Sequence, residues 1–381
     1  MKTKLIYFLL VATLINCTDS EKKQLNENGV EQLITTFENQ IKTDIEQDAI
    51  NGSVSATIIK GDTIIWQKTF GLNNINDTLK SNSNTIYRVG SISKTFTGLL
   101  MMILHQEGVL NINDPIENYL PEIKNLKDYK DYEKITFKAL ASHTSGLDRE
   151  PRLRDIHEGP IMEWESKVLQ SIPETGFINK PSERFRYSNI GYGILGLALS
   201  KAANKSFIAL VEEKILTPLK MESTFYSVPE NKEANLAIGM GGGPLVELDF
   251  ELPRSEHKGR GYKIPNGSIY STPNDLAQLM ICLMGYSNII NEENLTLLKS
   301  TQTPTKNLRQ NYGFGVELYE HNDLTTISHA GSTPGYSAHF EFEPESEFGI
   351  VIMRNYNFGN TNFDLRLNAL LRNLKTANKS L

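Results

Sequence analysis

The spacing of apolar residues predicts regular structure from the first clearly patterned stretch of the chain. Within residues 29–48, apolar side chains recur every three or four positions from Val30 to Ile41, which predicts a helix. Two strand-like runs follow at 53–60 and 63–70, joined by a Gly-Asp pair, which is typical of a β-hairpin. The folded part of the chain is therefore expected to begin with one helix and two antiparallel strands.

The remaining sequence alternates between helical and strand-like blocks. An apolar helical run covers 91–107 and ends at Gly108. From about 116 to 265, helical patterns alternate with long loops that contain many Pro, Gly and charged residues. A closing helix is predicted at 362–375. Before that helix lie four strand candidates, at 312–319, 324–330, 336–343 and 348–355.

Strands thus come from both ends of the sequence, and a largely helical section lies between them. The simplest assembly is an α/β (α+β) fold, in which one antiparallel sheet is flanked by helices. A mostly helical lobe, about 116–265, would be inserted beside that sheet. We expect a single folded domain over residues 29–381.

The N-terminal residues predict an exported protein. Lys2 and Lys4 precede an apolar run of about a dozen residues, whereas a membrane span needs roughly 20. Residues 1–16 are therefore interpreted as a signal peptide, and residues 17–28 as a polar tether. Cys17 follows the apolar run and resembles the lipidated cysteine of bacterial lipoproteins.

That resemblance implies a lipoprotein facing the periplasm or the cell exterior, with the lipid anchor as its contact with the membrane. Asn16 departs from the small residue that usually precedes such a cysteine. A plain cleaved signal peptide is the alternative. The chain has one other cysteine, Cys282, which lies in an apolar helical stretch and is interpreted as a core residue.

Composition and charge narrow the function classes. The 381 residues are 39% hydrophobic and 22% charged, which is ordinary for a globular protein with a full-sized core. The formal net charge is −6, and removing residues 1–16, which hold two lysines and no acidic residue, would make it −8. An acidic chain argues against nucleic acid as a partner. We expect a small-molecule or peptide substrate instead.

Several cofactor and catalytic motifs are missing from the sequence. The seven histidines form no HExxH or short metal-ligand cluster, and no GxxxxGK[ST] occurs, so no metal or cofactor is expected. One GxGxxG is present at 191–196, but it follows no clear strand, and we interpret it as small residues on a packed helix. Without a GxSxG elbow, an α/β-hydrolase is disfavoured.

The sequence RVGSISKTF contains the strongest candidate for a nucleophile. Ser91 and Lys94 are three residues apart, so on a helix they share one face. Gly90 permits a sharp turn into that helix, whose positive N-terminal end favours a developing alkoxide. A lysine with a lowered pKa would hold or accept the serine proton. The same S-x-x-K spacing at Ser20 and Ser255 lies in polar segments, so the apolar context favours Ser91.

A second element for proton transfer is found in RFRYSNIGYG. Tyr187 near Lys94 would be stabilised as a phenolate by the ammonium and would act as a general base. Asn189 would orient the lysine and a substrate carbonyl. A second Tyr-Ser-Asn begins at Tyr286, but it leads into a predicted surface turn.

These motifs together resemble the class C β-lactamase-like serine hydrolases of the penicillin-recognising family. Those proteins share S-x-x-K, Y-x-N and a third K-T-G or H-x-G motif on a strand, in that order. Here the three are SISK (91–94), YSN (187–189) and HAG (329–331). The similarity extends from about residue 30 to 370, and it implies a β-lactamase/transpeptidase-like fold.

The resemblance also implies a role for each matching residue. Ser91 would be the nucleophile, Lys94 its activating partner, and Tyr187 the general base that later protonates the leaving group. Asn189 would contact the substrate. The backbone N–H groups of Ser91 and Ser332 would form the oxyanion hole. On the same strand, Gly331 would let the substrate approach closely, and His329 would be a polar wall and a hydrogen-bond partner of Tyr187 or substrate.

The resulting hypothesis is an exported hydrolase that cleaves an ester or amide through an acyl-enzyme on Ser91, of the esterase or D-amino-acid/cell-wall peptidase type. A genuine β-lactamase or D-Ala-D-Ala carboxypeptidase is the alternative. A class C β-lactamase would normally have lysine at position 329, and a histidine is mostly neutral at pH 7. A non-catalytic binding lipoprotein is a further alternative. His143, in SHTSG, is interpreted as hydrogen-bonded support.

Overall fold

The structure is a computed structural model of the chain. The predicted signal peptide, the polar tether and the lipidation site Cys17 lie outside the described residues. The description covers 29–379 except for 77, 133, 154, 244–245, 305–310, 322 and 360–361.

A seven-stranded antiparallel sheet forms the centre of the fold, with strand order β2-β1-β13-β12-β11-β10-β9. The N-terminal hairpin pairs with the last strand, Val54 lying opposite Arg354, so the two ends of the chain meet in one sheet as predicted. The strands are β1 Val54–Lys60, β2 Thr63–Phe70, β9 Asn311–Tyr312, β10 Glu317–His321, β11 Leu324–Thr333, β12 Tyr336–Glu343 and β13 Phe348–Arg354.

Both faces of the central strands are covered. Alternate residues of a strand point to opposite faces, and in β1 Ile58 joins a cluster with the terminal helices, whereas Ile59 joins the larger core beneath the helical section. This double burial explains why these strands are continuous apolar runs. The helices that cover the first face are α1, residues 29–48, and α11, Phe363–Lys379.

One predicted strand is interrupted. The run 312–319 was expected to be continuous, but β9 ends at Tyr312 and β10 begins at Glu317. Gly315 between them has φ +80°, and a Cβ atom there would lie 2.4 Å from the carbonyl oxygen of Lys94. The chain turns here because the backbone must pass close to the helix that follows the nucleophile.

On the other face of the sheet, the helix Pro273–Met284 packs against β1, β12 and β13. The helix predicted over 91–107 extends from Ser93 to Gln106, because its periodic apolar face is buried in the core. The α-helices between α1 and α11 are α2 Ser93–Gln106, α3 Phe137–Ala141, α4 Trp164–Ser171, α5 Asn189–Ala203, α6 Phe207–Val211, α7 Glu251–Ser255, α8 Ile264–Gly267, α9 Pro273–Met284 and α10 Glu292–Leu298.

The GxGxxG sequence lies within α5, as interpreted from the sequence. A Cβ atom on Gly196 would lie 2.3 Å from Pro265, so small residues let α8 pack closely here. In the described part of the chain no single helix is long and apolar enough to cross a membrane; α5 and the segment Phe207–Leu216 pass that test together, but with a bend of 79°. Three two-stranded sheets complete the fold: β3 Leu72–Asn74 with β4 Leu79–Lys80, β5 Tyr87–Arg88 with β8 Tyr270–Ser271, and β6 Gly241–Gly243 with β7 Val246–Asp249.

Candidate active site

The candidate nucleophile lies on a tight turn in front of α2. Gly90 has φ +54°, a conformation that glycine adopts without strain, and Gly90–Ile92 form a 3-10 turn. Ser91 is partly exposed on this turn, whereas Gly90 and Ile92 are buried. The turn therefore presents one hydroxyl to the cleft and anchors the residues on either side of it.

Lys94 lies in the first turn of α2, and its side chain is fully buried. Its Nζ is 3.1 Å from Ser91 Oγ and donates a hydrogen bond of 3.0 Å to the carbonyl oxygen of Asn266. The Asn266 carbonyl oxygen thus holds the amine beside the Ser91 hydroxyl. In these hydrogen bonds it is Asn266, rather than the expected Asn189, that orients the lysine.

Burial sets the protonation of Lys94 and Tyr187. The pKa of Lys94 lies well below its usual value, mainly because the amine is buried, with Arg149 and Lys263 lowering it further and Glu150 opposing this. Burial raises the pKa of Tyr187 above 10, against a hydrogen bond from Ser91 that lowers it. Both shifts favour the uncharged forms, an amine beside a phenol, so they do not favour the expected lysine-stabilised phenolate; the part of Tyr187 in proton transfer stays a prediction.

Tyr187 is held by stacked rings and cations. Its ring centroid lies 4.1 Å from that of His143 and 4.8 Å from Lys94 Nζ. The Arg149 guanidinium covers the same ring at 5.0 Å. His143 is itself buried, and its Nδ1 accepts a hydrogen bond of 3.0 Å from the backbone N–H of Ser188. His143 is thus the hydrogen-bonded support predicted from the sequence, and it fixes the tyrosine backbone.

Asn189 begins α5 beside the cleft. Its side-chain amide donates a hydrogen bond of 2.6 Å to Glu150, and its carbonyl oxygen accepts one of 3.0 Å from the Asn266 side chain. Glu150 also hydrogen-bonds with Tyr262 and lies 3.8 Å from Lys263 Nζ. Asn189 therefore joins the second motif to α8, and its contact with substrate stays a prediction.

The edge of β11 brings a second backbone N–H to the nucleophile. Thr333 and Tyr336 form the pair next to the turn, and in an antiparallel pair the backbone N–H groups of successive residues point alternately towards and away from the partner strand. The N–H of Ser332 therefore points away from β12, towards the side where β10 no longer pairs with β11. A Cβ atom on Gly331 would lie 1.9 Å from the Val89 carbonyl oxygen and 2.9 Å from Ser91 N, and one on Gly90 would lie 2.8 Å from Ser332 N. Two glycines thus let the backbone at Ser332 approach the backbone at Ser91 closely, and a shared oxyanion hole stays a prediction.

His329 is buried rather than exposed as a wall of the cleft. Its side chain is 1% exposed, and burial lowers its pKa to about 3, so the ring is neutral. Its Nδ1 lies 2.7 Å from the Ala330 carbonyl oxygen and must donate to it, so Nε2, 3.0 Å from the Tyr312 hydroxyl, accepts. The predicted hydrogen bond with Tyr187 is wrong, because Tyr312 takes its place. Substrate contact by the imidazole stays a prediction that this burial does not favour.

Sequence reasoning missed three groups of this site. Asn266 acts through its backbone carbonyl, for which no residue type is diagnostic. Glu150 lies in a charged loop of ordinary composition, and Tyr312 was assigned to a strand without a role. Only the tertiary contact with His329 identifies Tyr312.

The groups present can perform acyl transfer. A hydroxyl lies against a buried amine, a phenol adjoins both, and the backbone at Ser332 lies close to the backbone at Ser91. Within the described residues, no group of three or more His, Cys, Asp and Glu side chains is placed to hold a metal ion.

Comparisons with known proteins agree with this geometry. The family model described as Beta-lactamase matches residues 37–373. Protein flp of Staphylococcus aureus (strain MRSA252) is 27% identical over 337 residues, which are 86% of this chain and 64% of that protein. Beta-lactamase-like protein 2 of Dictyostelium discoideum is 29% identical over 358 residues, 88% of this chain and 63% of that protein. The chain thus spans slightly less than two thirds of these relatives.

Two solved structures share the fold. A penicillin-binding protein homologue from Pyrococcus abyssi, described as octameric, superposes with a TM-score of 0.74 at 21% identity, over 91% of this chain and 79% of that one. A class C beta-lactamase also gives a TM-score of 0.74, at 20% identity, over 91% of this chain and 96% of that one. At this identity the similarity concerns the fold.

Proposed function

Because the chain belongs to the beta-lactamase family, we propose that it is an exported serine hydrolase that cleaves an ester or amide through an acyl-enzyme on Ser91. The observation that carries the proposal is the distance of 3.1 Å between Ser91 Oγ and the amine of the buried Lys94. A serine hydroxyl is a weak nucleophile until a neighbouring base accepts its proton. A lysine held neutral by burial is such a base.

The first half of the proposed reaction forms the acyl-enzyme. Ser91 Oγ attacks the substrate carbonyl carbon while Lys94 takes its proton, and the N–H groups of Ser91 and Ser332 stabilise the oxyanion. Tyr187 then gives its phenolic proton to the leaving oxygen or nitrogen, and the ammonium of Lys94 returns a proton to the phenolate. The raised pKa of Tyr187 suits it to this acid role, whereas the sequence-based assignment made it the first base.

The second half hydrolyses the acyl-enzyme. A water molecule attacks the acyl carbon, and Lys94, again neutral, accepts its proton directly or through Tyr187. The tetrahedral intermediate then expels Ser91 Oγ, which regains a proton from the same pair. The product is a free carboxylic acid, and the site returns to its starting protonation.

The third motif favours an ester or a D-aminoacyl amide over a β-lactam. Residue 329 supplies no positive charge, because its imidazole is neutral and buried. A groove of about 590 Å³ continues along β11 past Ser332, and Arg354 lines it. That guanidinium lies 3.8 Å from the Asp48 carboxylate and between the rings of Tyr356 and Phe363, so its charge is already compensated. A carboxylate anchor of the β-lactamase kind is therefore weak on this side.

Covalent labelling tests the nucleophile. A fluorophosphonate probe should modify the Ser91 peptide of the wild-type protein, and Ser91→Ala should abolish the label. Ser255→Ala is the matched control, because Ser255 has a lysine at the same spacing but lies exposed on α7. A folded wild-type protein without an adduct on Ser91 would favour the non-catalytic alternative.

A substrate panel tests the class of reaction. Turnover of p-nitrophenyl esters or D-aminoacyl anilides should exceed that of nitrocefin, each measured as kcat/KM with Ser91→Ala as the blank. Nitrocefin as the best substrate would establish the β-lactamase alternative and would contradict the argument from residue 329.

Export and lipidation rest on residues 1–28 alone, and we propose them on that basis. The support is the basic start, the short apolar run and Cys17 in the position of a lipoprotein cysteine. Mass spectrometry of the membrane fraction should find a mature chain that begins at a diacylated Cys17. Recovery of intact Met1, or of an unmodified Cys17, would contradict the lipid anchor.

A further inference from the structure

A separate cavity is lined by residues of β5, of the 256–260 segment and of α8. It has a volume of about 170 Å³ and is bounded by Arg88 of β5, by the loop that carries Glu256 and Arg260, and by Tyr226. Within the described part of the chain its walls do not include the side chains of Ser91, Lys94 or Tyr187. The cavity is therefore separate from the proposed hydrolytic site.

Two buried guanidinium groups at its wall have unused donors. Arg88 is 1% exposed, and its Nη1 donates a hydrogen bond of 2.8 Å to Glu256. Arg260 is 8% exposed and donates to the Gly267 carbonyl oxygen at 2.6 Å and to Glu256 at 3.3 Å. Among the described residues, Arg88 Nε and Nη2, Arg260 Nε and the Tyr226 hydroxyl have no hydrogen-bond partner. Buried donors of this kind are normally satisfied.

The charge of the cluster is also incomplete. Among the described residues, Glu256 forms an ion pair with both guanidinium groups, and Glu150 acts on Arg260 without a direct ion pair. Burial lowers the pKa of Arg260 to about 10, so the group stays cationic at neutral pH. His257 beside them is neutral, because burial and Arg88 lower its pKa to about 4. Lys258 at the rim adds a further positive charge. The cavity therefore carries an excess of positive charge, which an anion would balance.

We propose that this cavity binds a short-chain carboxylate such as acetate or propionate. The planar fork of a guanidinium matches the two oxygens of a carboxylate, and the Tyr226 hydroxyl offers a third donor. Ile161 and Ile264 line the same cavity and suit a short hydrocarbon end. Both guanidinium groups already donate hydrogen bonds to the Glu256 carboxylate. Glu256 is thus a competitor for the ligand.

The competition gives a directional test. Thermal unfolding of the full chain at pH 7 should shift upward and saturate with sodium acetate and sodium propionate, compared with sodium chloride at the same ionic strength. Glu256→Gln removes the competing charge, so acetate should bind at least about tenfold more tightly and should raise the melting temperature more than in the wild type. Tyr226→Phe removes one donor and should weaken binding by about fivefold.

Arg254→Gln is the matched control, because Arg254 is an exposed cation two residues before Glu256 and is paired with Glu251. It should leave the acetate response unchanged. An absent or non-saturating response in the wild type would overturn the proposal, as would an acetate response that is equal in the wild type, Glu256→Gln and Tyr226→Phe. If Glu256→Gln does not fold, Tyr226→Phe still decides. A stronger response to sodium phosphate than to acetate would overturn the ligand class. None of these outcomes depends on hydrolysis at Ser91.

Discussion

Replacing Lys94 by methionine separates its chemical role from its structural one. Methionine nearly preserves the length and apolar stem of the side chain but cannot accept a proton. If the neutral amine is the base that activates Ser91, Lys94→Met should lower kcat/KM for an ester by about 10²–10⁴-fold, the range for general base catalysis. The hydroxyl would keep its place on the 3-10 turn, because Gly90 and α2 fix the backbone there.

The same substitution should stabilise the fold. The folded protein holds Lys94 with a lowered pKa, so the unfolded chain binds more protons than the folded one, and stability rises with pH between that lowered pKa and the unfolded value of about 10.4. Each unit of lowering costs about 1.4 kcal/mol at pH values below both. Methionine carries no ionisable group, so Lys94→Met removes this cost. The gain should be largest at low pH and should shrink towards pH 10.

Urea unfolding of the wild type and Lys94→Met between pH 5 and pH 10 measures this difference, together with ester turnover. The matched control is Lys299→Met, because Lys299 is partly buried, has a lowered pKa and donates to the Leu283 carbonyl oxygen at 2.7 Å, far along the chain from the motifs. Lys299→Met should keep full activity. Turnover of Lys94→Met within tenfold of the wild type would refute the base assignment. A variant destabilised at pH 5 would refute the pKa argument.

Three further changes test the surrounding site. Tyr187→Phe should lower kcat for esters by about 10²–10⁴-fold with a melting temperature near that of the wild type, and comparable activity would exclude the phenol as the proton donor. Gly331→Ala places a Cβ atom 1.9 Å from a backbone oxygen and should lower kcat/KM by about 10²–10³-fold, whereas Gly176→Ala, with its nearest contact at 3.5 Å, should retain activity. His329→Lys should destabilise the fold by about 3–5 kcal/mol in urea unfolding without creating nitrocefin turnover; a stable, nitrocefin-active variant would restore the charge argument. His329 and His257 have folded pKa values of about 3 and about 4, so below about pH 6.5 the unfolded chain binds more protons than the folded chain. The urea midpoint should therefore fall as the pH drops from about 6.5 towards 3. A flat profile would contradict the burial of the two histidines.

The periodicity of apolar residues predicted those strands in which burial and pairing across the sheet decide the sequence pattern. In β1 and β13 every residue is buried between two helical layers or paired across the sheet, so sequence pattern and structure coincide within one residue. The prediction for 312–319 failed because apolar residues around Gly313 and Gly315 serve a tight turn rather than a strand. Close contact with the backbone of α2 decides that turn, and no local pattern encodes such a contact.

In the candidate site too, contacts between residues close in sequence were predictable, whereas contacts between distant segments were not. Spacing placed Ser91 and Lys94 together, because both lie on one continuous turn and helix. The partners of Lys94 and Tyr187 come from distant segments: the Asn266 carbonyl from α8, and His143 from the turn after α3. A carbonyl has no residue signature, and the pKa directions depend on burial. Geometry therefore had to decide which group is the base and which is the acid.

The third motif shows which part of a family pattern can be transferred to a new chain. The backbone of residues 329–332, which lies beyond the pairing of β11 with β10, must approach Ser91 closely. Gly331 permits this approach because it has no Cβ atom. The side chain at 329 has no part in this approach, because it is buried and hydrogen-bonded to Tyr312. A lysine there would have to expel Tyr312 or be buried beside Lys94, where a second cation would lower the pKa of the base further. The histidine is therefore a consequence of the tyrosine packed behind it, and a change of substrate class would require both residues to change together.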